Sequence, residues 1–187
     1  MLNFQTERSP LIDSSAIFCK RLVLILALTL LTTLPATLWA VPVQSEDKRF
    51  TDHQDGSITD TQTGLMWFKN DSYLQIGHWL SWLESIMYIK QMNDTSFAGY
   101  SDWRMPTVEE LKTLYEPEKV NSQQAGTEMI MYFDPIFGKN GSGSLWSSTS
   151  NGAYNAFGVV FNTGKAFSSN RSNKARKGVR PVRNQIQ

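Results

Sequence analysis

The residues best suited to bind a ligand are cations in the C-terminal part of the chain. Arginine forks bind sulfate or phosphate through paired hydrogen bonds, and lysine adds a mobile point charge. From Pro135 to Gln187 the sequence holds eight basic residues and no acidic one, whereas Glu46 to Asp134 holds 15 acidic and seven basic residues. The candidate polyanion-binding residues are Arg171, Lys174, Arg176, Lys177, Arg180 and Arg183.

A basic stretch without acidic residues predicts a polyanionic partner, such as a sulfated or phosphorylated glycan. The alternative is that these side chains pair with carboxylates of the acidic first half once the chain has folded. Nucleic acid would satisfy the same electrostatics. No aromatic residues interleave with the cations to stack on bases, however, and the export signal described below argues against such a partner. We therefore expect no nucleic-acid partner.

The carboxylates are poorly spaced for catalysis. A glycosidase needs two carboxyl groups that converge on one bond and have separated pKa values. Glu109 and Glu110 are adjacent, so they point to different sides of their helix. Ser147 and Ser148 lack the Gly-x-Ser-x-Gly elbow, and the chain has only two histidines to serve them. The sequence therefore predicts a protein that is not an enzyme and carries no cofactor.

Three clustered aspartates leave a calcium site as an open alternative to the prediction of no metal site. Asp52, Asp55 and Asp60 offer oxygen ligands, but their spacing differs from that of an EF-hand loop. In the other interpretation each aspartate caps a turn by accepting hydrogen bonds from backbone N–H groups downstream. Because Cys19 is the only cysteine, the domain after it is predicted to lack a disulfide, a thiol nucleophile and a zinc–thiolate centre.

The N-terminal residues are typical of an export signal. Lys20 and Arg21 precede an apolar run, Leu22 to Leu34, and Ala40 is a small residue suited to cleavage. The run is shorter than the ~20 residues that cross a bilayer. An uncleaved signal anchor, with membrane contact, is the alternative to cleavage; either way we expect a periplasmic or extracellular location. The predicted divisions are a signal peptide or signal anchor at 1–40, a polar lead-in at 41–48 and a single domain at 49–187.

Among the elements that must position the candidate residues, the first is a predicted helix over 78–92. Ser81 and Glu84 have the spacing of a capping box, in which each side chain satisfies a free backbone N–H group. Apolar residues recur at helical period along one side. We expect this side to pack in the core; its members are Trp79, Trp82, Leu83, Ile86 and Ile89.

A second helix, 108–115, is predicted to begin at a similar device. Pro106 precedes Thr107, and Glu110 follows three positions later. This spacing places a sharp corner between an extended segment and the helix.

The aromatic and basic residues around this corner are interpreted as structural. Arg104 can stack on an aromatic ring or bind backbone carbonyls at a buried corner. Trp67, Trp103 and Trp146 are expected to share the core. A sugar-stacking platform on the surface is the alternative for one of these tryptophans.

Short strands make up most of the remainder. Leu65 to Phe68 is a predicted strand behind a turn, and 118–144 is predicted to be long and irregular. Further strands are predicted at 145–149, 154–162, 165–168 and 179–183. Two helices placed before a run of antiparallel strands predict an α+β fold, with the helices packed on short antiparallel sheets.

Five sequence motifs, in order, resemble the domain of unknown function 1566 family, the C-terminal domain of Legionella collagen-like adhesins. Any one motif is weak, but together they span nearly the whole predicted domain. The motifs are Arg49-Phe-Thr-Asp52 with Asp55-Gly56 and Thr59-Asp60, Thr63-Gly-Leu-Met-Trp67, Gly99-Tyr-Ser-Asp-Trp-Arg-Met-Pro-Thr107 with Glu110-Leu111, Trp146-Ser-Ser-Thr149 and Val179-Arg-Pro-Val-Arg183.

The resemblance implies a secreted or periplasmic bacterial domain with a C-type-lectin-like fold and no established enzymatic activity. In the collagen-like adhesins the domain is similar in position to a glycan-binding head. This chain departs from the family in two ways. It has no collagen-like stalk, so stalk-driven trimerisation is not implied, and it has Pro181 where many relatives have cysteine.

Taken together, these features predict an exported bacterial binding module, adhesin-like and with an anionic glycan as its candidate ligand. The alternative is a structural or assembly subunit of an envelope complex that has no ligand of its own. The sequence leaves the oligomeric state open.

Overall fold

The computed structural model describes residues 41–185, and the predicted signal at 1–40 lies outside them. The strands are β1 (Val43–Gln44), β2 (Phe50–Asp52), β3 (Ser57–Asp60), β4 (Leu65–Phe68), β5 (Val120–Gln123), β6 (Ile130–Tyr132), β7 (Ser144–Asn151), β8 (Asn155–Val160), β9 (Lys165–Asn170), β10 (Lys177–Gly178) and β11 (Val182–Asn184). The α-helices are α1 (Ser72–Ile76), α2 (Trp82–Asp94) and α3 (Val108–Thr113). No helix within 41–185 combines the length and the apolar character that crossing a membrane requires.

The predicted fold class is wrong. The part of the chain that the structure describes is mostly β, with eleven strands and three short helices, rather than two helices packed on short antiparallel sheets of C-type-lectin-like type. The helix after Thr107 has only six residues. The segment predicted to be irregular holds β5, whose sequence is mostly polar, and the three-residue β6, and neither is long enough to show an alternating apolar pattern.

The first sheet has five antiparallel strands in the order β1-β2-β3-β4-β11. The predicted strand Leu65–Phe68 is confirmed as β4, and every one of its residues is buried. Its neighbour on one side is β11, from the other end of the chain, with Trp67 opposite Val182. Burial on both faces explains why β4 reads as a continuous apolar run rather than an alternating one.

The second sheet has four strands in the order β10-β7-β8-β9. β7, β8 and β9 are antiparallel, whereas the two-residue β10 runs parallel to β7. A third pair, β5 and β6, is antiparallel. Because β10 belongs to the second sheet and β11 to the first, residues 179–181 of the predicted strand 179–183 form the crossing between two sheets, and residues 182 and 183 begin β11.

Backbone hydrogen bonds hold this crossing in place. The Ser72 N–H donates to the carbonyl oxygen of Val179 at 2.8 Å, and the Phe68 N–H donates to that of Pro181 at 3.0 Å. Val179 and Val182 have no exposed surface. The C-terminal segment therefore lies within the core rather than over it.

The helix predicted over 78–92 is present as α2, with its capping box at Ser81 and Glu84, but of its predicted apolar side only Ile89 is fully buried. Leu83 is 58% exposed and Ile86 is 43% exposed. Trp82 Nε1 donates to the carbonyl oxygen of Ser147 in β7 at 2.8 Å, which fixes the rotation of the helix. The residues that α2 buries are Ser85, Ile89 and Met92.

The corner before α3 joins this helix to the C-terminal strand. Thr107 Oγ1 accepts from the Glu110 N–H at 3.1 Å, and Glu110 Oε2 accepts from the Thr107 N–H at 2.8 Å, which is a capping box. The Arg104 guanidinium donates to both Glu110 oxygens, at 2.8 and 2.7 Å. The Arg104 backbone pairs with Val182 in β11. The Glu110 carboxylate thus caps the start of α3 and also binds Arg104, which lies beside β11.

We predict that Glu110→Gln lowers the free energy of unfolding by about 1 kcal/mol at neutral pH, a magnitude typical of a helix cap. The hydrogen bond from Arg104 lowers the pKa of Glu110 from its ordinary 4.5. Stabilisation by the charged form is therefore complete above that ordinary value and is lost as pH falls through the pKa of the folded protein. Urea denaturation across pH 3–7 measures the difference.

The matched control is Glu109→Gln. The Glu109 carboxylate, next to Glu110 in the chain, is 81% exposed and within 41–185 pairs with Lys112 alone. We expect this control to change stability little. A Glu110→Gln effect that equals the control, or that grows as pH falls, contradicts the assignment.

Candidate functional site

The structure does not bring the six candidate cations together on one exposed face. Arg180 is 1% exposed, Arg183 is 3% exposed and Lys177 is 9% exposed. Arg171 is half-buried, whereas Lys174 and Arg176 are exposed. Half of the candidate residues therefore lie where a macromolecular polyanion has no access.

Arg180 is held at the junction between β4 and α1. Its guanidinium donates to the carbonyl oxygens of Phe68, at 2.8 Å, and Lys69, and lies 4.7 Å from the ring centroid of Phe137. Asp71, the N-cap residue of α1, lies 3.9 Å away. Burial lowers the pKa of Arg180 to about 10, so the side chain still carries its charge at neutral pH.

Arg183 is neutralised by a residue from the acidic first half. Its Nε donates to Asp102 Oδ1 at 2.6 Å, and its guanidinium lies 3.9 Å from the ring centroid of Tyr100. The contact lowers the pKa of Asp102. Arg183 follows the alternative interpretation, in which the C-terminal cations pair with earlier carboxylates.

Lys177 is buried beside aromatic rings. Its Nζ lies 5.5 Å from the ring centroid of Trp146 and 5.6 Å from that of Phe167, and it donates to the carbonyl oxygen of Ala175 at 3.2 Å. Burial lowers the pKa of this lysine. It supports β10 from inside rather than meeting solvent.

Arg171 joins three elements at one end of the second sheet. Its guanidinium stacks 4.4 Å from the ring centroid of Trp82 in α2. It donates to Ser150 Oγ at 3.0 Å and to the carbonyl oxygens of Gly152 and Asn155 at 3.3 and 3.2 Å. These contacts fix the β7–β8 turn and the loop after β9 against the first turn of α2.

Lys174 lies on the same loop and pairs with α2. Its Nζ donates to Glu84 Oε1 at 2.5 Å, and this hydrogen bond lowers the pKa of Glu84 to about 2. The other oxygen of Glu84 accepts the Ser81 N–H in the capping box. The carboxylate therefore offsets one of the three cations that face solvent here.

Tyr154 lies beside the start of the loop after β9, whereas Arg176 lies at the end of that loop, next to Lys177, which pairs with Ser144 at the opposite end of β7. Tyr154, in the β7–β8 turn, is 79% exposed, and its carbonyl oxygen accepts the Arg171 N–H at 2.9 Å. Arg176 is exposed, and no ion pair joins it to another residue within 41–185. We call the surface that follows the loop after β9, from Tyr154 and Arg171 through Lys174 to Arg176, the Arg171 surface.

The sequence motif residues form the interior and its corner rather than a ligand platform. Trp67, Trp103 and Trp146 are at most 2% exposed, so none of the three offers a ring for sugar stacking. Pro106 lies between Arg104 and the capping box, and its carbonyl oxygen accepts the Ser148 N–H at 2.7 Å. This bond joins the corner to β7.

The three clustered aspartates have protein partners. Asp52 accepts from Lys69 Nζ at 2.6 Å, and Asp60 accepts from the guanidinium of Arg49 at 2.8 Å. Asp55 accepts from the backbone N–H and the hydroxyl of Ser57. Within 41–185, no group of three or more His, Cys, Asp or Glu side chains is arranged to hold a metal ion. The observed contacts are those of turns and ion pairs.

The comparison with known families agrees with the motifs. The profile of the Lcl C-terminal domain, from the Legionella collagen-like adhesins, matches residues 56–183, more than half of the chain. The chain belongs to this family. The Lcl C-terminal domain match begins at Gly56, in the turn before β3, and ends at Arg183 in β11. It therefore covers the second sheet and, in the first sheet, β3, β4 and most of β11, and it confirms the resemblance. No curated protein matches the chain.

Membership in the Lcl C-terminal domain family marks the protein as an adhesin-like module, which is typical of exported proteins. The family does not by itself assign a ligand. Sequence reasoning missed Tyr154 and the support that Trp82 gives to Arg171. The sequence signal that could have identified Tyr154 is Asn151-Gly152, a turn dipeptide that projects the following residues from the sheet.

We predict that Arg180→Ala and Arg176→Ala differ in stability, because Arg180 is an interior cation and Arg176 is a surface cation. Arg180→Ala leaves two buried carbonyl oxygens and Asp71 without their cation, so we expect a loss of about 3–5 kcal/mol of stability. Arg176→Ala should change stability by no more than about 0.5 kcal/mol. Urea denaturation monitored by tryptophan fluorescence measures both. A loss below about 1 kcal/mol for Arg180→Ala contradicts its assigned role.

Proposed function

We propose that the protein is an exported, adhesin-like binding module that contacts anionic glycans through the Arg171 surface, in the periplasm or outside the cell. The support is a run of exposed cations along the loop after β9 of the second sheet, with the exposed side chain of Tyr154 beside the start of this loop. Residues 135–185 contribute no carboxylate to this sheet. The proposal includes no catalytic step and no cofactor.

The chemistry of the surface suits a sulfated or phosphorylated sugar. The Arg176 fork is free to bind an anionic group through two N–H donors. Tyr154 is 79% exposed, and its ring offers an apolar face to a sugar ring, while the Arg171 guanidinium is already engaged by the β7–β8 turn. Arg171 therefore positions the surface, and Arg176 and Lys174 supply the mobile charge.

The exposure of these charged side chains to solvent limits the binding free energy that each can contribute. Ion pairs between exposed groups contribute roughly 0–1 kcal/mol each and are screened by salt. Two or three such contacts give weak binding to one sugar. Appreciable retention therefore requires a repeating polyanion, along which several sites bind together.

We predict opposite shifts from two substitutions on this surface when the protein is eluted from a heparin column by salt. Arg176→Ala removes a free cation, and we expect affinity to fall about fivefold, with elution at lower salt. Glu84→Gln removes the carboxylate that offsets Lys174, and we expect elution at higher salt.

The matched control is Lys139→Ala, which removes one exposed positive charge outside the Arg171 surface. Elution of this control should shift less than that of Arg176→Ala. Equal shifts for the two variants would show a response to net charge alone. That result, or a shift of Glu84→Gln toward lower salt, overturns the proposal.

A further inference from the structure

The outer side of β9 is an open strand edge. In the second sheet β9 follows β8 and is the last strand. With six residues, it is the longest of the strands that lie at the sheet edges within 41–185. An open edge presents unpaired N–H and C=O groups, which are a template for the backbone of another chain. The exposed residues of β9 are Lys165, Ala166, Ser168 and Asn170.

The pairing with β8 shows which backbone groups face the open edge. The Arg171 N–H donates to the Tyr154 carbonyl oxygen at 2.9 Å, and these two residues continue the β8–β9 register by one position. In an antiparallel pair, only alternate pairs of opposite residues exchange hydrogen bonds. The odd-numbered residues of β9 therefore bond to β8. The even-numbered residues point their N–H and C=O groups to the open edge, and they are Ala166, Ser168 and Asn170.

Most of these edge groups have no partner within 41–185. The Asn170 carbonyl oxygen accepts the Asn173 N–H at 3.0 Å, whereas no residue of that range bonds to the edge groups of Ala166 or Ser168. Groups on every second residue recur about 6.6 Å apart along a strand. Another extended backbone presents its own donors and acceptors at the same repeat. The edge therefore suits a polypeptide strand rather than a sugar chain.

β9 lacks two of the devices that usually block the addition of a strand. Its register with β8 is continuous over all six residue pairs, without a bulge, and it contains no proline. Lys165 is its only charged residue. A lysine on an edge strand discourages pairing with other cationic strands but attracts a carboxylate.

The charges along the edge favour an acidic occupant. Lys165 is the first residue of β9, and Arg171 comes directly after the last, about 20 Å away along the strand. Neither cation forms an ion pair within 41–185, and residues 135–185 contribute no carboxylate. Opposite charges on facing residues of two strands stabilise the pair. A strand with carboxylates at both positions therefore fits this edge.

A second copy of β9 fits the edge less well. Two antiparallel copies that pair through residues 166, 168 and 170 of each are related by a twofold axis beside Ser168. The same axis sets Lys165 of one copy opposite Arg171 of the other, at both ends of the contact. Like charges directly opposite each other are destabilising.

We propose that β9 is a docking edge, to which an extended acidic segment of a partner polypeptide adds as a fifth strand of the second sheet. Main-chain hydrogen bonds to Ala166 and Ser168 hold the segment, and its carboxylates lie beside Lys165 and Arg171. The half-buried Phe167 offers an apolar neighbour to a β-branched side chain opposite. The inference goes beyond glycan binding and does not depend on it, because the edge recognises a backbone.

The probe is a synthetic peptide, Glu-Thr-Val-Thr-Val-Thr-Glu, blocked at both ends and labelled with a fluorophore, and its binding to the full chain is followed by anisotropy. Paired antiparallel with residues 165–171, its glutamates lie opposite Lys165 and Arg171. Its second, fourth and sixth residues then point their N–H groups at β9. N-methylation of the fourth and sixth residues should weaken binding about tenfold, because two hydrogen bonds are lost.

Two further peptides complete the comparison. N-methylation of the third and fifth residues, whose N–H groups point away from β9, is the matched control and should change affinity by no more than about twofold. Glutamine in place of both glutamates should weaken binding about threefold.

Amide hydrogen exchange supplies a readout that needs no variant of the protein. At a peptide concentration ten times Kd, the fraction of free protein falls to about one tenth. The edge amides of Ala166 and Ser168 should therefore exchange about tenfold more slowly. The Phe167 amide, which already bonds to β8, should change less.

Ser168→Pro removes one N–H from the edge without breaking a bond to β8, and should weaken binding of the peptide about fivefold. The proposal is overturned by equal binding of the two N-methylated peptides, equal binding of the glutamine peptide, no binding up to about 1 mM, or unprotected edge amides. Dimerisation of the protein alone that Ser168→Pro abolishes would assign the edge to a second copy and also overturn it. Because no glycan is present, these results are independent of the heparin experiment.

Discussion

The buried guanidinium of Arg180 is the interaction on which the two-sheet arrangement depends. Removing a charge from water is costly unless hydrogen bonds and an opposite charge compensate for it. Here two carbonyl oxygens at the end of β4, the ring of Phe137 and the carboxylate of Asp71 surround it. These partners exist only when the segment between β10 and β11 crosses at this point. The charge therefore selects one path of the chain between the sheets.

Folding redistributes the charges that the sequence separates. The acidic first half and the basic second half suggest two opposed surfaces, yet Arg183 meets Asp102 and Lys174 meets Glu84. Each pair joins residues 80 or more positions apart. What remains at the surface is a short cationic stretch along the loop after β9, which makes electrostatic attraction local rather than general.

The features that could be predicted from the sequence are those set by neighbours along the chain. The capping boxes at Ser81 and Thr107 depend on a residue three positions away, so the pattern is legible in the sequence. The family could likewise be recognised from motifs that form the core and the corner before α3. In each case local geometry limits the residue types that fit.

The features that could not be predicted depend on distant partners. The rotation of α2 follows from a bond between Trp82 and Ser147, 65 positions apart, and periodicity alone points the apolar residues inward. The candidate site could not be predicted for the same reason. Burial of Arg180 and Arg183 depends on where β4 and Asp102 lie, and β5 pairs with β6 despite a polar sequence. The amino-acid composition contains no information about these contacts between distant residues.

The pairing of β4 with β11 has a consequence for how the protein is made. Trp67 lies opposite Val182, and Arg104 bridges to the same residue, so the first sheet and the corner before α3 are both completed by the final strand. A nascent chain that still lacks this strand has the apolar residues of β4 without one of their neighbours. The domain can close only after synthesis of its last residues, and long-range closure of this kind is slow. The native state is therefore reached only after β11 has been synthesised.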